Sequence, residues 1–202
     1  MVARPENPTQ HCEGRADVPI LPEEVNLYPD SLLDEPPAGP SPRRWMVLYT
    51  KARQEKSLAR ELLAYHIPFY LPLVKKTGVS RGRRRTSFAP LFGGYVFLYG
   101  SEPERVRGLT TNRISRILPV DDADQLVHDL RQIRQLIAAN VPLTVESRLR
   151  PGQRVRVRQG AFAGVEGIVM KRRGEMRLLV SITFLQQGAS VEIDDFLLEP
   201  LD

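Results

Sequence analysis

The sequence predicts an α+β protein with two folded domains, an αβ sandwich followed by a small β-barrel. Over residues 44–137, apolar segments with strand spacing alternate with segments of helical spacing. From residue 150 to 202, glycines separate short runs rich in β-branched residues. Residues 138–149, which include Pro142, interrupt both patterns and predict a linker between the two domains.

The first domain contains seven segments with a strand or helix pattern. They are strands at 45–49, 69–76, 86–100 and 113–120, and helices at 52–66, 102–109 and 121–140. Pro68 ends the first helix, Ser101 is a suitable N-cap for the second, and residues 78–86 turn between two strands of a hairpin. The order β-α-β-β-α-β-α is that of a ferredoxin-like sandwich. We expect helices on one face of its sheet and an open second face.

Residues 1–43 differ from the rest of the chain in composition and charge. Residues 1–42 carry a net charge of −6, and the remaining 160 residues carry +11. The Pro-, Glu- and Asp-rich composition predicts a disordered acidic tail; the alternative is a tail that folds back onto the basic domains. The basic remainder favours nucleic acid or another polyanion as a partner.

Composition also narrows the class of function. Cys12 is the one cysteine, so a disulfide framework is excluded, and with three histidines beside it a structural zinc site is not expected. The sequence has neither an apolar run of membrane-spanning length nor a signal peptide, which predicts a cytoplasmic protein without membrane contact. We find no catalytic set of nucleophile, acid and base, and expect neither an enzyme nor a cofactor.

The C-terminal domain begins with a spaced motif of glycines and apolar residues. Its members are Gly152, Val155, Val157, Gly160, Phe162, Gly164, Gly167 and Val169. In a barrel strand, alternation points the two valines of RVRVR inward and its arginines outward, and Gly160 and Gly164 can adopt the positive φ angles of tight turns. The motif resembles KOW, which occurs in SH3-like barrels of transcription factors and ribosomal proteins. The alternative is a generic glycine-rich β-hairpin.

Two segments of the first domain carry a second resemblance. WMVLYT at 45–50 and PLFGGYVF at 90–97 are similar to the N-terminal domain of NusG, the bacterial transcription elongation factor, and a KOW domain after a linker completes that architecture. The resemblance covers roughly residues 44–201, and the short basic hairpin is closer to RfaH-type paralogues. It implies a factor that binds RNA polymerase and modulates pausing or termination, with antitermination favoured. The alternative is a KOW-type RNA-binding or ribosome-associated protein without polymerase contact.

The strand at 95–99 suggests where polymerase would bind. Tyr95, Phe97 and Tyr99 share one face of the strand, whereas Val96 and Leu98 share the other. A contiguous exposed aromatic surface is typical of an interaction site. The resemblance implies that Phe92, Tyr95 and Phe97 dock on the clamp helices of the polymerase largest subunit, and Tyr99 extends this face. The alternative is a face covered by the tail or, as in RfaH-type proteins, by the KOW domain.

A basic hairpin predicts contact with nucleic acid. It contains Lys75, Lys76, Arg81, Arg83, Arg84 and Arg85, and Lys51, Arg53, Arg113 and Arg116 could extend its surface. Phosphate contacts made by such residues are independent of base sequence and sensitive to salt. The resemblance implies that this edge lies near upstream or non-template DNA. The alternative is a loop that is merely solvated.

The glycines of the C-terminal domain also predict its conformation. Glycine is costly within helices, and LLVSITF at 178–184 has strand-like spacing, so we expect a β-barrel that tumbles independently of the first domain. Phe184 would then lie near an exposed strand end, where the resemblance implies recruitment of a ribosomal protein or a termination factor. We expect the chain to be a monomer.

Overall fold

The computed structural model describes residues 24–80, 83–146, 152–172, 175–193 and 198–201. In these ranges the helices are α1 (Glu55–Ala64), α2 (Glu102–Thr110) and α3 (Ala123–Ala138). The strands of the N-terminal half are β1 (Leu27–Tyr28), β2 (Arg44–Thr50), β3 (Phe69–Tyr70), β4 (Leu73–Ser80), β5 (Arg83–Pro90), β6 (Tyr95–Gly100) and β7 (Ile114–Pro119). None of the described helices is long and apolar enough to cross a membrane.

The N-terminal half is built around an antiparallel sheet. Within the described residues this sheet has five strands in the order β1-β3-β6-β2-β7, and β4 and β5 form a separate two-stranded hairpin. The predicted strand at 69–76 is therefore divided between β3 and β4, and the predicted strand at 86–100 between β5 and β6. The three predicted helices are confirmed. Asp122 caps α3 by accepting a hydrogen bond from Gln125 N at 2.9 Å, as the acidic segment before that helix predicts.

Both faces of this sheet are covered, so the expectation of one open face is wrong. Met46, Leu48, Val96 and Leu98 pack with Leu58 and Leu62 of α1 in one core cluster. The opposite face packs against the apolar side of α3, formed by Leu126, Leu130, Ile133 and Leu136. This stripe recurs every three or four residues, which is the spacing that a helix needs to cover a sheet.

The chain before β2 is also folded, so the prediction of a disordered tail is wrong for residues 24–43. Leu27 and Tyr28 pair with Tyr70 and Phe69 as an edge strand, and Leu32 and Leu33 are fully buried. The alternative prediction, a tail that folds back onto the basic part of the chain, is correct for this segment. We refer to residues 24–42 as the N-terminal strap. Residues 1–23 lie outside the described part.

The C-terminal half forms an antiparallel sheet from strands β8 (Thr144–Glu146), β9 (Gln153–Val157), β10 (Glu166–Arg172), β11 (Glu175–Ile182), β12 (Gln187–Glu192) and β13 (Leu198–Pro200). Across the described residues this sheet has six strands in the order β13-β9-β10-β11-β12-β8. The predicted linker at 138–149 needs correction, because α3 occupies its first residue and β8 lies within it. Residues 147–149 are outside the described part.

The β conformation and the alternation predicted for the KOW-like motif are confirmed. Val155 and Val157 are buried, and the arginines that alternate with them are exposed. Gly160 and Gly164 have φ angles of +88° and +83° in the turn between β9 and β10. The expectation that this half tumbles independently is wrong in this structure, because β11 and a 3-10 turn (Thr183–Leu185) pack against α3.

Candidate functional site

Cross-strand pairing brings six aromatic side chains onto the sheet face that α3 covers. The register pairs Trp45 with Tyr99 and Tyr49 with Tyr95 across β2 and β6, and Tyr70 with Phe97 across β3 and β6. Because directly opposed residues point to the same side of a sheet, these six residues form one surface, which we name the aromatic face. The rings of Trp45 and Tyr99 lie 5.4 Å apart, and those of Tyr49 and Tyr95 5.2 Å apart, measured between centroids.

The predicted exposure of Phe92 and Phe97 is wrong. Phe97 is 0% exposed and Phe92 is 1% exposed. Both belong to the core cluster that contains the apolar side of α3 and the two buried leucines of the strap. Tyr95 and Tyr99 are half-buried and pack against the same cluster. The alternation along β6 correctly predicts that Tyr95, Phe97 and Tyr99 share one face of the sheet. It does not predict that α3 and the strap bury part of that face.

One end of the aromatic face is open to solvent. Tyr49 at the end of β2 is 42% exposed and contacts half-buried Tyr95. Arg116 on β7 is exposed and is directly opposite Tyr49 in the strand register. Sequence reasoning did not select Tyr49, although its alternation with Trp45 and Val47 along β2 places it on the same face. We refer to Tyr49 and Tyr95 as the open tyrosine pair.

The turn before β6 holds the open tyrosine pair in position. Gly94 has a φ of +86°, its N–H donates to Glu55 Oε1 at 2.7 Å, and its carbonyl accepts from Thr50 N at 2.8 Å. A Cβ atom at Gly94 would lie 2.9 Å from Tyr49 Cε2. The ring of Tyr49 therefore lies against the backbone of the turn, and this close approach requires glycine.

Four predicted basic residues lie on β7, just before it or just after β2, but they are not equivalent. Lys51, Arg53 and Arg116 are exposed, and Lys51 Nζ donates to Asn112 Oδ1 at 2.7 Å. Arg113 is committed to a structural role, because Nε binds Glu61 Oε1 at 2.6 Å and a second guanidinium nitrogen binds Gln54. Its prediction as a nucleic-acid contact is therefore weakened, since the pairing already neutralises its charge.

The basic hairpin is present as β4 and β5, paired from Leu73 and Pro90 to Ser80 and Arg83. Each strand has 8 residues and so spans about 26 Å at about 3.3 Å per residue. Lys75 and Lys76 are exposed on β4. Arg83, Arg84 and Arg85 begin β5, and Arg81 lies outside the described residues. The hairpin forms a projecting two-stranded arm that is separate from the main sheet.

The predicted site residues of the C-terminal half lie in or beside the large core cluster. Phe184 is half-buried in the 3-10 turn and packs, with Phe162 and Val169, against the large cluster. Gly152 precedes β9, and Gly167 and Val169 lie on β10. The predicted exposure of Phe184 at a strand end is therefore only partial, because the turn that carries it faces α3.

Tyr70 of the aromatic face and Glu104 at the start of α2 have shifted pKa values. Burial raises the pKa of the Tyr70 hydroxyl above its ordinary value, and nearby Arg134 opposes this shift. Burial alone would raise the pKa of Glu104, but hydrogen bonds from Arg43 and Ser101 lower it to about 2. Tyr70 is thus neutral and Glu104 ionised at neutral pH, and Glu104 forms an ion pair with Arg43 at 2.6 Å where the strap meets β2.

Across the described ranges, no group of three or more His, Cys, Asp or Glu side chains is arranged to hold a metal ion. The candidate site consists of the open tyrosine pair and the exposed basic side chains on β7 and after β2. It can bind another macromolecule by apolar burial and by charge.

The family described as transcription termination factor NusG matches residues 43–149. A solved structure concerned with domain interaction in Thermotoga maritima NusG is 16% identical, covers 80% of this chain and 98% of its own, and has a TM-score of 0.42. The MjSpt4:Spt5 complex is 14% identical and covers 78% of this chain; its conformation A covers 98% of its own chain, with a TM-score of 0.26. Because the family match spans more than half of the 202 residues, this chain belongs to the NusG family of transcription factors.

Proposed function

We propose that this protein is a transcription elongation factor that binds RNA polymerase at the clamp helices of its largest subunit. The single observation that carries the proposal is the open tyrosine pair, an exposed aromatic contact on the family domain. Aromatic residues that a rigid scaffold holds at a surface are typical anchors of protein interfaces. Family membership supports the transcriptional role, and the resemblance noted in the sequence supports the choice of partner.

The rigidity of the open tyrosine pair supports docking. Tyr49 and Tyr95 lie on neighbouring central strands of the sheet, and the Gly94 turn supports the Tyr49 ring from behind. Little conformational entropy would therefore be lost when a partner helix packs against the pair. An apolar ridge on a polymerase helix could bury both rings while their hydroxyls remain at the edge of the contact.

The basic residues supply the second part of the proposal. Arg116 lies opposite Tyr49 in the strand register, Lys51 and Arg53 are exposed in the segment that follows β2, and the β4–β5 arm carries further positive charge. A factor docked through the tyrosines could therefore reach upstream or non-template DNA with the arm. The mechanism is mechanical and electrostatic: the protein bridges the polymerase cleft, favours the closed clamp and so modulates pausing and termination, with antitermination as the favoured outcome.

The two halves of the chain have separate roles in this proposal. We assign the N-terminal half to the ferredoxin-like NusG domain, supported by its element order, and the C-terminal sheet to a KOW domain, supported by the alternation of β9 and the turn glycines. The C-terminal sheet would recruit a ribosomal protein or a termination factor through the region of Phe184. The protein would act as a monomer in the cytoplasm.

The experiment compares polymerase binding by the wild-type chain and by a Tyr49→Ala/Tyr95→Ala variant. Each interface anchor that is removed costs on the order of 2 kcal/mol of binding, so we expect the double variant to lose detectable binding while its far-UV circular dichroism remains that of the folded protein. Tyr65→Ala is the matched control, because Tyr65 lies at the end of α1 beneath Arg107, away from the aromatic face. Retention of full polymerase affinity by the double variant contradicts the proposal.

A further inference from the structure

The N-terminal strap wraps around the edge of the N-terminal sheet. At its start, Glu24 lies 3.6 Å from Lys56 Nζ and 3.3 Å from Arg60 Nε, both on α1. It then pairs as β1 with β3 and crosses to the other side of the sheet. Just beyond its end, Arg43 forms the ion pair with Glu104 of α2. The strap is thus attached to both sides of the sheet.

The middle of the strap inserts two leucines into the core beside the aromatic face. Leu32 and Leu33 are 0% exposed and belong to the cluster that contains Trp45, Tyr70 and Phe97. A tight turn presents them, with Leu32 N donating to Pro29 O at 2.9 Å. An apolar segment of the chain itself is therefore buried in the same cluster as the aromatic face.

Polar contacts with α3 hold the same turn. Leu33 O accepts a hydrogen bond from Arg131 Nε at 2.8 Å, and Asp34 forms ion pairs with Arg134 at 2.8 Å and with Arg131 at 3.6 Å. The Asp34–Arg134 pair is partly exposed to solvent, and such pairs add little stability. Burial of the two leucines therefore contributes more to closing than this ion pair does.

The strap has the character of an addition to the domain. It precedes the residues 43–149 that match the family, and it carries four carboxylates and no basic side chain between residues 24 and 42. Its pairing with the sheet is short, because β1 has two residues at the edge of the sheet and one further backbone hydrogen bond runs from Leu71 N to Asn26 O at 2.7 Å. Edge elements with few backbone pairs open locally at lower cost than central strands do.

We propose that the N-terminal strap is an autoinhibitory cover of the aromatic face. When it is seated, polymerase meets only the open tyrosine pair. When it leaves, the edge of the face at Tyr70, which lies on the strand that pairs with β1, becomes available beside α3, and an apolar polymerase helix takes the place of Leu32 and Leu33. This inference rests on the proposed docking function, and it adds that docking competes with a segment of the same chain.

Leu32→Glu in the full-length chain tests the proposal, because a carboxylate cannot remain in an apolar site without a partner. Val25→Glu is the matched control, since Val25 lies in the same strap but is 49% exposed. The chain has one tryptophan, and Trp45 shares the cluster with Leu32, so acrylamide quenching of its fluorescence reports opening. Titration with RNA polymerase reports docking.

We expect Leu32→Glu to raise the quenching constant of Trp45 several-fold, to keep the far-UV circular dichroism of the domain, and to tighten polymerase binding by about tenfold or more, because apparent affinity scales with the fraction of competent molecules. Val25→Glu should match the wild type in all three measurements.

Three outcomes overturn the inference. General unfolding of Leu32→Glu would make the strap an integral part of the core. In a folded Leu32→Glu protein, the inference also fails if Trp45 is quenched as in the wild type, or if quenching increases while the polymerase affinity stays equal to that of the wild type. A different outcome, increased quenching with no polymerase binding by any of the proteins, overturns the proposed function and supports the strap as a displaceable cover.

Discussion

Asp129 on α3 accepts a hydrogen bond from the backbone N–H of Thr183 at 2.8 Å, through Oδ2, and so joins the two halves of the chain. Its other oxygen accepts from Gln125 Nε2 at 2.7 Å. Asp129 is buried, and both of its carboxylate oxygens have hydrogen-bond partners in a place where water has little access. Gln135 Nε2 adds a contact to Ala163 O at 3.0 Å. α3 therefore takes part both in the contact with the C-terminal half and in the core cluster that includes the aromatic face.

Replacing Asp129 with alanine should loosen the contact between the two halves. Hydrogen bonds to a charged group contribute about 1.5–3 kcal/mol, and the variant leaves the N–H of Thr183 without its acceptor. We expect amide relaxation rates to show the C-terminal sheet tumbling separately from α3. Asp124→Ala, at an exposed site in the first turn of the same helix, should keep one common correlation time. Equal behaviour of the two variants would show that apolar packing alone holds the interface.

Gly94→Ala should displace Tyr49. The backbone φ of +86° disfavours any L side chain, and the new Cβ would lie 2.9 Å from the Tyr49 ring. We expect a loss of about 1–3 kcal/mol in the free energy of unfolding, measured by urea titration, together with weaker polymerase binding. Gly93→Ala is the adjacent control, because its φ is not positive and no atom lies within 4 Å of its Cβ position. If Gly93→Ala were equally harmful, the specific role of the Gly94 turn would be refuted.

The Arg43–Glu104 pair should make stability depend on pH in the acid range. Because the folded-state pKa of Glu104 is about 2, below the ordinary value of 4.5, its contribution is complete above about pH 4.5 and is lost as the pH falls towards 2. We expect Glu104→Gln to be less stable than the wild type at pH 7, on the order of 2 kcal/mol, with the difference vanishing near pH 2. Urea titrations across this range measure it.

Glu102→Gln provides the comparison for that experiment. Glu102 pairs with Arg105 on the exposed surface of the same helix, where solvent screens the charges. Its pH profile should follow that of the wild type closely. An equal loss of unfolding free energy in both variants would mean that the general charge of α2, and not the partly buried Arg43–Glu104 pair, determines how stability depends on pH in the acid range.

Replacing Arg83, Arg84 and Arg85 with glutamine should weaken binding to a DNA bubble. The log–log dependence of affinity on salt should flatten by about 0.7–0.9 for each phosphate group that the arm no longer neutralises. Polymerase binding should persist, because the arm is separate from the sheet that carries the open tyrosine pair. An unchanged salt dependence would identify the arm as a solvated hairpin.

Local pattern was enough to predict the elements of the family domain and the side of the sheet on which each aromatic residue lies. The alternation of Tyr95, Phe97 and Tyr99 determines that side, because strand side chains alternate. Burial could not be predicted in the same way. Phe97 is covered because α3, which follows β6 by more than 20 residues, returns across the sheet.

The strap was mispredicted for a related reason. Its prolines and carboxylates are typical of disordered segments, and Leu32 and Leu33 are too few to form a recognisable helix or strand pattern. Their burial depends on a site built by β2 together with β3, β6 and α3, and the last three lie much farther along the sequence. Tyr49 was missed because its exposure depends on where α3 and the strap stop covering the sheet, and no local signal marks that limit.

Site-specific photocrosslinking tests the docking claim most directly. A benzophenone amino acid replaces Tyr49 or Tyr95 in the full-length chain, and a third protein carries it in place of Tyr65 as the control. After irradiation with purified RNA polymerase, we expect positions 49 and 95 to crosslink to the clamp helices of the largest subunit and position 65 not to. Crosslinks from 49 and 95 to another polymerase surface, or efficient crosslinking from 65 alone, would contradict docking through the open tyrosine pair.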